Sequence, residues 1–208
     1  SVGLDETEIV ARLTARALHR EYQNVSATYG TIWSGQSMQD PALFGPISSC
    51  VNTVTKKVGE HLYLHSADPM QDVATLADHA AFLWARNDRV LIVVDGAEAY
   101  STSGGGAAAS YDARLSLVGY ELSRLSSQGC AVVTTCHPGA MPFLSPAVTV
   151  AAELRAVREP MPRGGGKKKL LVGARPMDLA IPKNRLGATP TVPLVYLAAA
   201  SVFEERQP

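Results

Sequence analysis

Asp95 closes Val90-Leu91-Ile92-Val93-Val94, an unbroken apolar and largely β-branched run. Such a run predicts a parallel strand buried on both faces by helices. In open α/β sheets, ligands gather at the carboxyl ends of strands, where an acid can hold Mg²⁺ directly or through water. Asp95 is thus a candidate magnesium ligand, the alternative being an aspartate that caps a loop. A second apolar run, Cys130–Thr135, is followed closely by His137. His137 would reach the same sheet edge and sense a phosphate or contact a substrate, or else serve as a loop histidine before Pro138.

Lys183 and Arg185 lie two residues apart on an extended segment, so both point the same way. That geometry suits a phosphate, including one bound by a neighbouring subunit. Arg163, Lys167, Lys168 and Lys169 surround three consecutive glycines. Local positive charge on glycine-rich backbone suits a phosphodiester chain. No aromatic is interleaved there to stack bases, and a solvated hairpin tip explains the cluster equally well. His61 and His65 fall on one face of a strand-like run, HLYLH. Zinc would need a further ligand, so structural or surface histidines fit better. No G-x-x-x-x-G-K-[ST], G-x-S-x-G or H-E-x-x-H pattern occurs in the chain. The glycine runs at 103–106 and 164–167 do not follow a buried strand and open a helix, so neither forms a phosphate loop.

The elements that must position these residues follow from periodicity. Asp5-x-x-Glu8 is a capping-box-like start, and Ile9, Leu13 and Ala17 predict a helix over 6–22. After a polar stretch through Ser34-Gly35-Gln36, the stripe Leu43, Ile47, Val51, Val54 and Val58 predicts a second helix ending at Gly59. A third follows Asp68-Pro69 with Val73, Leu76, Ala80 and Leu83 on one face. A fourth carries Leu115, Val118, Leu122 and Leu125 and closes at Gln128-Gly129. Helices alternating with the buried runs imply an α/β sheet with right-handed crossovers. Beyond Val148, runs over 148–158, 169–181 and 191–203 predict a hairpin and meander added to that sheet. No break in composition calls for a second domain.

Nineteen basic and nineteen acidic residues cancel among 208, which excludes a molecule coated in positive potential but not a local basic channel. An apolar content of 46% excludes a wholly disordered chain. Three cysteines without C-x-x-C spacing argue against a disulfide framework or zinc ribbon and suit a reducing cytosol. No apolar stretch is long enough to span a bilayer, and the first residues lack signal-peptide character. The expectation is a soluble cytoplasmic protein.

Taken in order, these segments resemble the RecA-like motor domain of DnaB-type replicative helicases, from residue 1 to about 205. Ser1-Val2-Gly3-Leu4 is similar to the family's S-L-E-M strand end, LIVVDGAEAY (91–100) to its Walker B strand, and AVVTTCH (131–137) to the next motif strand. The strongest match is Ile181-Pro182-Lys183-Asn184-Arg185-Leu186-Gly187, followed by Ala188-Thr189-Pro190-Thr191-Val192. It resembles the family's K-x-R-x-G-x-x-G-T-V. Ser201-Val202-Phe203-Glu204 is similar to its closing strand. The resemblance implies a RecA-like three-layer sandwich with a mostly parallel sheet and a C-terminal hairpin or meander, forming one core domain over 1–208. It implies ATP and Mg²⁺ as cofactors, with Asp95 coordinating the metal and His137 at the sensor position. Lys183 and Arg185 would act in trans on the γ-phosphate of the adjacent subunit of a homo-hexameric ring. Single-stranded DNA would meet loop 101–110, including Ser103, Gly104 and Gly105, with Arg163, Lys167 and Lys168 as further contacts.

Several positions depart from the family pattern. The P-loop and first core strand would precede Ser1, and Gly3 occupies the place of the water-activating glutamate. Glu6 and Glu8 are the nearest substitutes. His137 replaces a glutamine, and the second glycine of the K-x-R motif is missing at the Thr189-Pro190-Thr191 turn. A RecA sheet without its first strand leaves unpaired backbone groups, which favours further upstream sequence. The competing expectation is a degenerate RecA-fold adaptor or assembly protein without hydrolysis. A recombinase-like or clock-type RecA ATPase is a third, against which the K-N-R-x-G turn speaks.

Overall fold

The computed structural model describes residues 5–23, 26–59, 61–66, 68, 70–86, 89–103, 110–157 and 174–206. Helix α1 spans Glu6–Tyr22, matching the predicted 6–22. Asp5 caps it by accepting from the Glu8 amide at 2.6 Å, while the Glu8 carboxylate turns to Arg12 at 2.8 Å. A second helix, α2, covers Tyr29–Trp33 in the polar stretch for which periodicity predicts no element. Thr28 and Thr31 cap each other reciprocally, a local signal that hydrophobic periodicity misses. Helix α3 runs Pro41–Val54 from an Asp40 cap and passes into a π turn over Thr55–Gly59.

Strand β1 (Gln71–Asp72) and helix α4 (Ala74–Trp84) come next. They lead to β2 (Leu91–Val94), β3 (Tyr100–Ser101), α5 (Tyr111–Ser127), β4 (Ala131–Thr134) and the short α6 (Met141–Leu144). Strands β5 (Val150–Ala156), β6 (Ala174–Asn184), β7 (Thr191–Leu197) and β8 (Val202–Glu205) complete the chain. Residues 61–66 form no strand. Five alternating residues with no partner strand among the described residues cannot satisfy a ladder. The predicted run 191–203 divides because Ser201 takes a left-handed conformation (φ 52°) and turns β7 into β8.

The described residues form two compact units. One is built from His65–Ala151 and Lys183–Leu186. In it β2 pairs with β4 and β1 with β3, both in parallel. The α5 stripe Leu115, Val118, Leu122 and Leu125 is buried as predicted, against Val73, Val94, Ala97 and Leu144. Gly129 ends α5 at φ 105°, where a Cβ would meet the Trp84 ring at 2.6 Å. The β2 strand is not buried on both faces. Leu91 and Val93 are 62% and 64% exposed, and their register partners Ala131 and Val133 are exposed beside them. Helix packing covers only the other face, through Ile92, Val94 and Val132.

The other unit contains the described residues of Leu4–Leu64, Ala152–Pro182 and Gly187–Pro208. Leu18, Ala27, Ile47 and Cys50 form its helical core. Its sheet has the order β5-β6-β7-β8, with β6–β7 and β7–β8 antiparallel, as the predicted meander requires.

Candidate nucleotide site

Because β2 and β4 are parallel neighbours in register, their carboxyl ends lie side by side. The pairing continues past both strands: the Thr135 amide donates to the Val94 carbonyl and the Ala97 amide to the Thr135 carbonyl, each at 2.9 Å. Asp95 and Thr135 therefore face each other at the strand exits. The Thr135 hydroxyl donates to Asp95 Oδ1 at 2.7 Å and accepts from the Gly96 amide at 2.9 Å. Its one proton is committed to the carboxylate, so the carboxylate is oriented. Gly96 makes the turn at φ 81°, a left-handed conformation that favours glycine.

Glu98 draws the same edge together from the other side. Its carboxylate accepts from the backbone N–H of His137. One nitrogen of Arg114 donates to the Glu98 carbonyl at 2.7 Å and to the Tyr100 carbonyl at 2.6 Å. Burial and then the Asp95 charge push the Tyr100 phenol pKa up, and burial and then Glu98 do the same for the Cys136 thiol. The His137 ring is exposed, and its Nδ1 accepts from the Gly139 amide at 3.2 Å. That contact caps the turn Pro138–Ala140 and places the neutral ring's proton on Nε2. Thr135, Glu98 and Arg114 are residues of this edge that sequence reasoning does not single out. The available signal for Thr135 is its place, one residue past an apolar strand, matching that of Asp95.

Strand β6 runs past the predicted end at 181, so Lys183 lies within it and Arg185 follows the strand end. Both cations do reach one place, as their spacing implies. Lys183 Nζ donates to the Ser145 carbonyl, and Arg185 donates to the Pro146 carbonyl at 3.0 Å. Desolvation, and then the like charge of Arg185, lower the Lys183 pKa. Ser103 lines a cleft with Asp72, Thr102, Glu121 and Arg124. Gly3, Gly104, Gly105, Arg163, Lys167 and Lys168 lie outside the described residues. Glu8, a candidate replacement base, is engaged with Arg12. His65 meets the ring of His79 at 4.9 Å, edge to face.

Among the described residues no group of three or more His, Cys, Asp or Glu side chains is arranged to hold a metal. An oriented single carboxylate nevertheless fits Mg²⁺, which keeps several waters and takes its remaining ligands from substrate phosphates. Among the described residues, no helix is long and apolar enough to cross a membrane.

No family model matches the sequence, and no curated protein matches it. Solved structures do match. A DnaB-like replicative helicase, described together with its interactions with primase, aligns over 97% of this chain with a TM-score of 0.73 and 14% identity. The chain spans 48% of that protein's length. A second solved structure, described as an ATPase domain, aligns over 100% of this chain and 73% of its own, at the same TM-score and identity. The chain thus has the RecA-like α/β fold of DnaB-type ATPase domains.

Proposed function

We propose that this chain is the ATPase-core segment of a DnaB-like DNA helicase, coupling ATP hydrolysis to movement on single-stranded DNA. The observation that carries this reading is the Asp95–Thr135 pair at the exits of two adjacent parallel strands. It stands where ligands bind in open α/β sheets, and it occurs in a fold shared with helicase ATPase domains. The chain is, on this reading, a RecA-like core.

Asp95 would hold Mg²⁺ of the nucleotide directly or through water, and the bound Mg-nucleotide supplies the transferable phosphoryl group. Thr135 holds the carboxylate in place. His137 offers Nε2–H as a donor at the sensor position. Lys183 and Arg185, held on neighbouring carbonyls, form a paired cationic tip suited to the γ-phosphate of an adjacent subunit in a hexameric ring. Desolvation, and then the like charge of Arg185, depress Lys183, and an anion between the two cations would relieve the repulsion. Ser103, Gly104 and Gly105, with Arg163, Lys167 and Lys168, would meet single-stranded DNA.

The trans role is tested with Arg185→Ala in the intact protein. DNA-stimulated hydrolysis should fall about 10³-fold or more, as for other arginine fingers, with nucleotide binding retained. Unchanged stimulated hydrolysis would remove Arg185 from the mechanism.

A further inference from the structure

The turn between β2 and β3 is held by a residue that none of the site roles above uses. Arg114 lies in the first turn of α5, shortly after the Ser110 cap. Its guanidinium is part-buried, packs 5.3 Å from the Tyr111 ring centroid, and clasps the carbonyls of Glu98 and Tyr100. Those two carbonyls bracket the end of the 3₁₀ turn Ala97–Ala99, the segment that carries the Glu98 side chain. Glu98 in turn accepts from the His137 N–H, on the segment leaving β4. Thr135 and Asp95 close the connection from the opposite side. Besides the backbone pairing, the side chains of Thr135 and Glu98 thus join the exits of β2 and β4, and of these two the Thr135–Asp95 link sits at the proposed ligand itself.

Resting on the reading of Asp95 as the Mg-nucleotide carboxylate, we infer that Arg114 is a positioning residue for this edge. By fixing the Glu98 turn it holds the Glu98 carboxylate on the His137 backbone, so that Asp95 and His137 address the same ligand. A purely structural arginine would stabilise α5 without affecting the edge. A positioning arginine affects ligand binding and the chemistry of Cys136, which lies between Thr135 and His137 and feels the Glu98 charge. Partners bonded directly to a metal ligand are worth about 10- to 100-fold in metal affinity, and Arg114, one contact further out, belongs at the low end of that range.

The test compares wild type, Arg114→Ala, Arg114→Lys and Glu98→Ala in the intact protein. The readouts are equilibrium Mg²⁺-dependent binding of a fluorescent ATP analogue, and alkylation of Cys136 with Cys130 as internal control. Arg114→Ala should weaken Mg²⁺-dependent binding about 10-fold and speed alkylation of Cys136 but not of buried Cys130. Arg114→Lys, which keeps a donor, should recover most of the affinity. Glu98→Ala should reproduce the binding defect, and it serves if Arg114→Ala fails to fold. Wild-type affinity in both Arg114→Ala and Glu98→Ala, or equal acceleration at both cysteines, would overturn the inference alone. Absence of Mg²⁺-dependent binding by the wild-type protein would overturn the underlying reading and the inference with it.

Discussion

The Thr135 hydroxyl donates a 2.7 Å hydrogen bond to Asp95 Oδ1 across the exits of two adjacent parallel strands. Because the same hydroxyl accepts from the Gly96 amide, its donor direction is fixed. A carboxylate oriented in this way needs no rearrangement to receive a hydrated cation. Thr135→Val should therefore weaken Mg²⁺-dependent nucleotide binding by about 10- to 100-fold, while Thr135→Ser keeps most of it. Titration with a fluorescent ATP analogue at varied Mg²⁺ checks both. Equal affinity in Thr135→Val would dissociate the threonine from ligand binding.

The uneven burial of β2 gives a prediction about stability. Leu115, the first residue of the α5 stripe, is fully buried, whereas Val93 is 64% exposed. Leu115→Ala should cost about 2–5 kcal/mol, through lost transfer energy and a residual cavity. Val93→Thr should change stability by less than about 0.5 kcal/mol. Urea unfolding of the two variants measures the contrast, and comparable losses would mean that the exposed face of β2 is covered in solution.

Thiol chemistry supplies a pH test. Burial, then Glu98, raises the Cys136 pKa, and burial, then Glu21, raises that of Cys50. A folded-state pKa above the unfolded one stabilises fully below the unfolded value, and this stability is lost as pH rises through the folded one. Both cysteines should thus make the protein less stable on the alkaline side, from about pH 8.5 upward. Since only the thiolate is nucleophilic, Glu98→Gln should move the alkylation profile of Cys136 to lower pH and leave that of Cys50 in place. Mass spectrometry of alkylated peptides across pH reads both, and an unmoved Cys136 profile would contradict the Glu98 contribution.

Gly129 combines a left-handed φ with a ring where its Cβ would be. Gly129→Ala should lower stability by more than about 1 kcal/mol. Trp84→Leu in the same protein would relieve the clash but not the backbone strain. Thermal unfolding of the single and double variants separates the two costs.

The parts legible in the sequence are those governed by local period. The α1 range follows from the Asp5 cap together with apolar spacing and the α5 stripe from apolar spacing, and the Lys183-x-Arg185 spacing foretells that both side chains reach one place. What escapes depends on partners distant in sequence or on polar caps. Helix α2 rests on a Thr28–Thr31 exchange, and β1 and β3 are two-residue strands defined only by each other. The bareness of Leu91 and Val93 cannot be read, because an apolar run looks the same whether one face or both are covered. The site is half visible. Asp95 announces itself as an acid ending a strand, but Thr135 and Glu98 act through contacts spanning 40 and 39 residues.

The most direct test of the motor reading is steady-state ATP hydrolysis by the intact protein, with and without single-stranded DNA, beside Asp95→Asn. A helicase core predicts Mg²⁺-dependent turnover that rises with single-stranded DNA and is lost in Asp95→Asn. Wild-type protein that hydrolyses no ATP under either condition would contradict it, and the RecA fold would then serve assembly instead of movement.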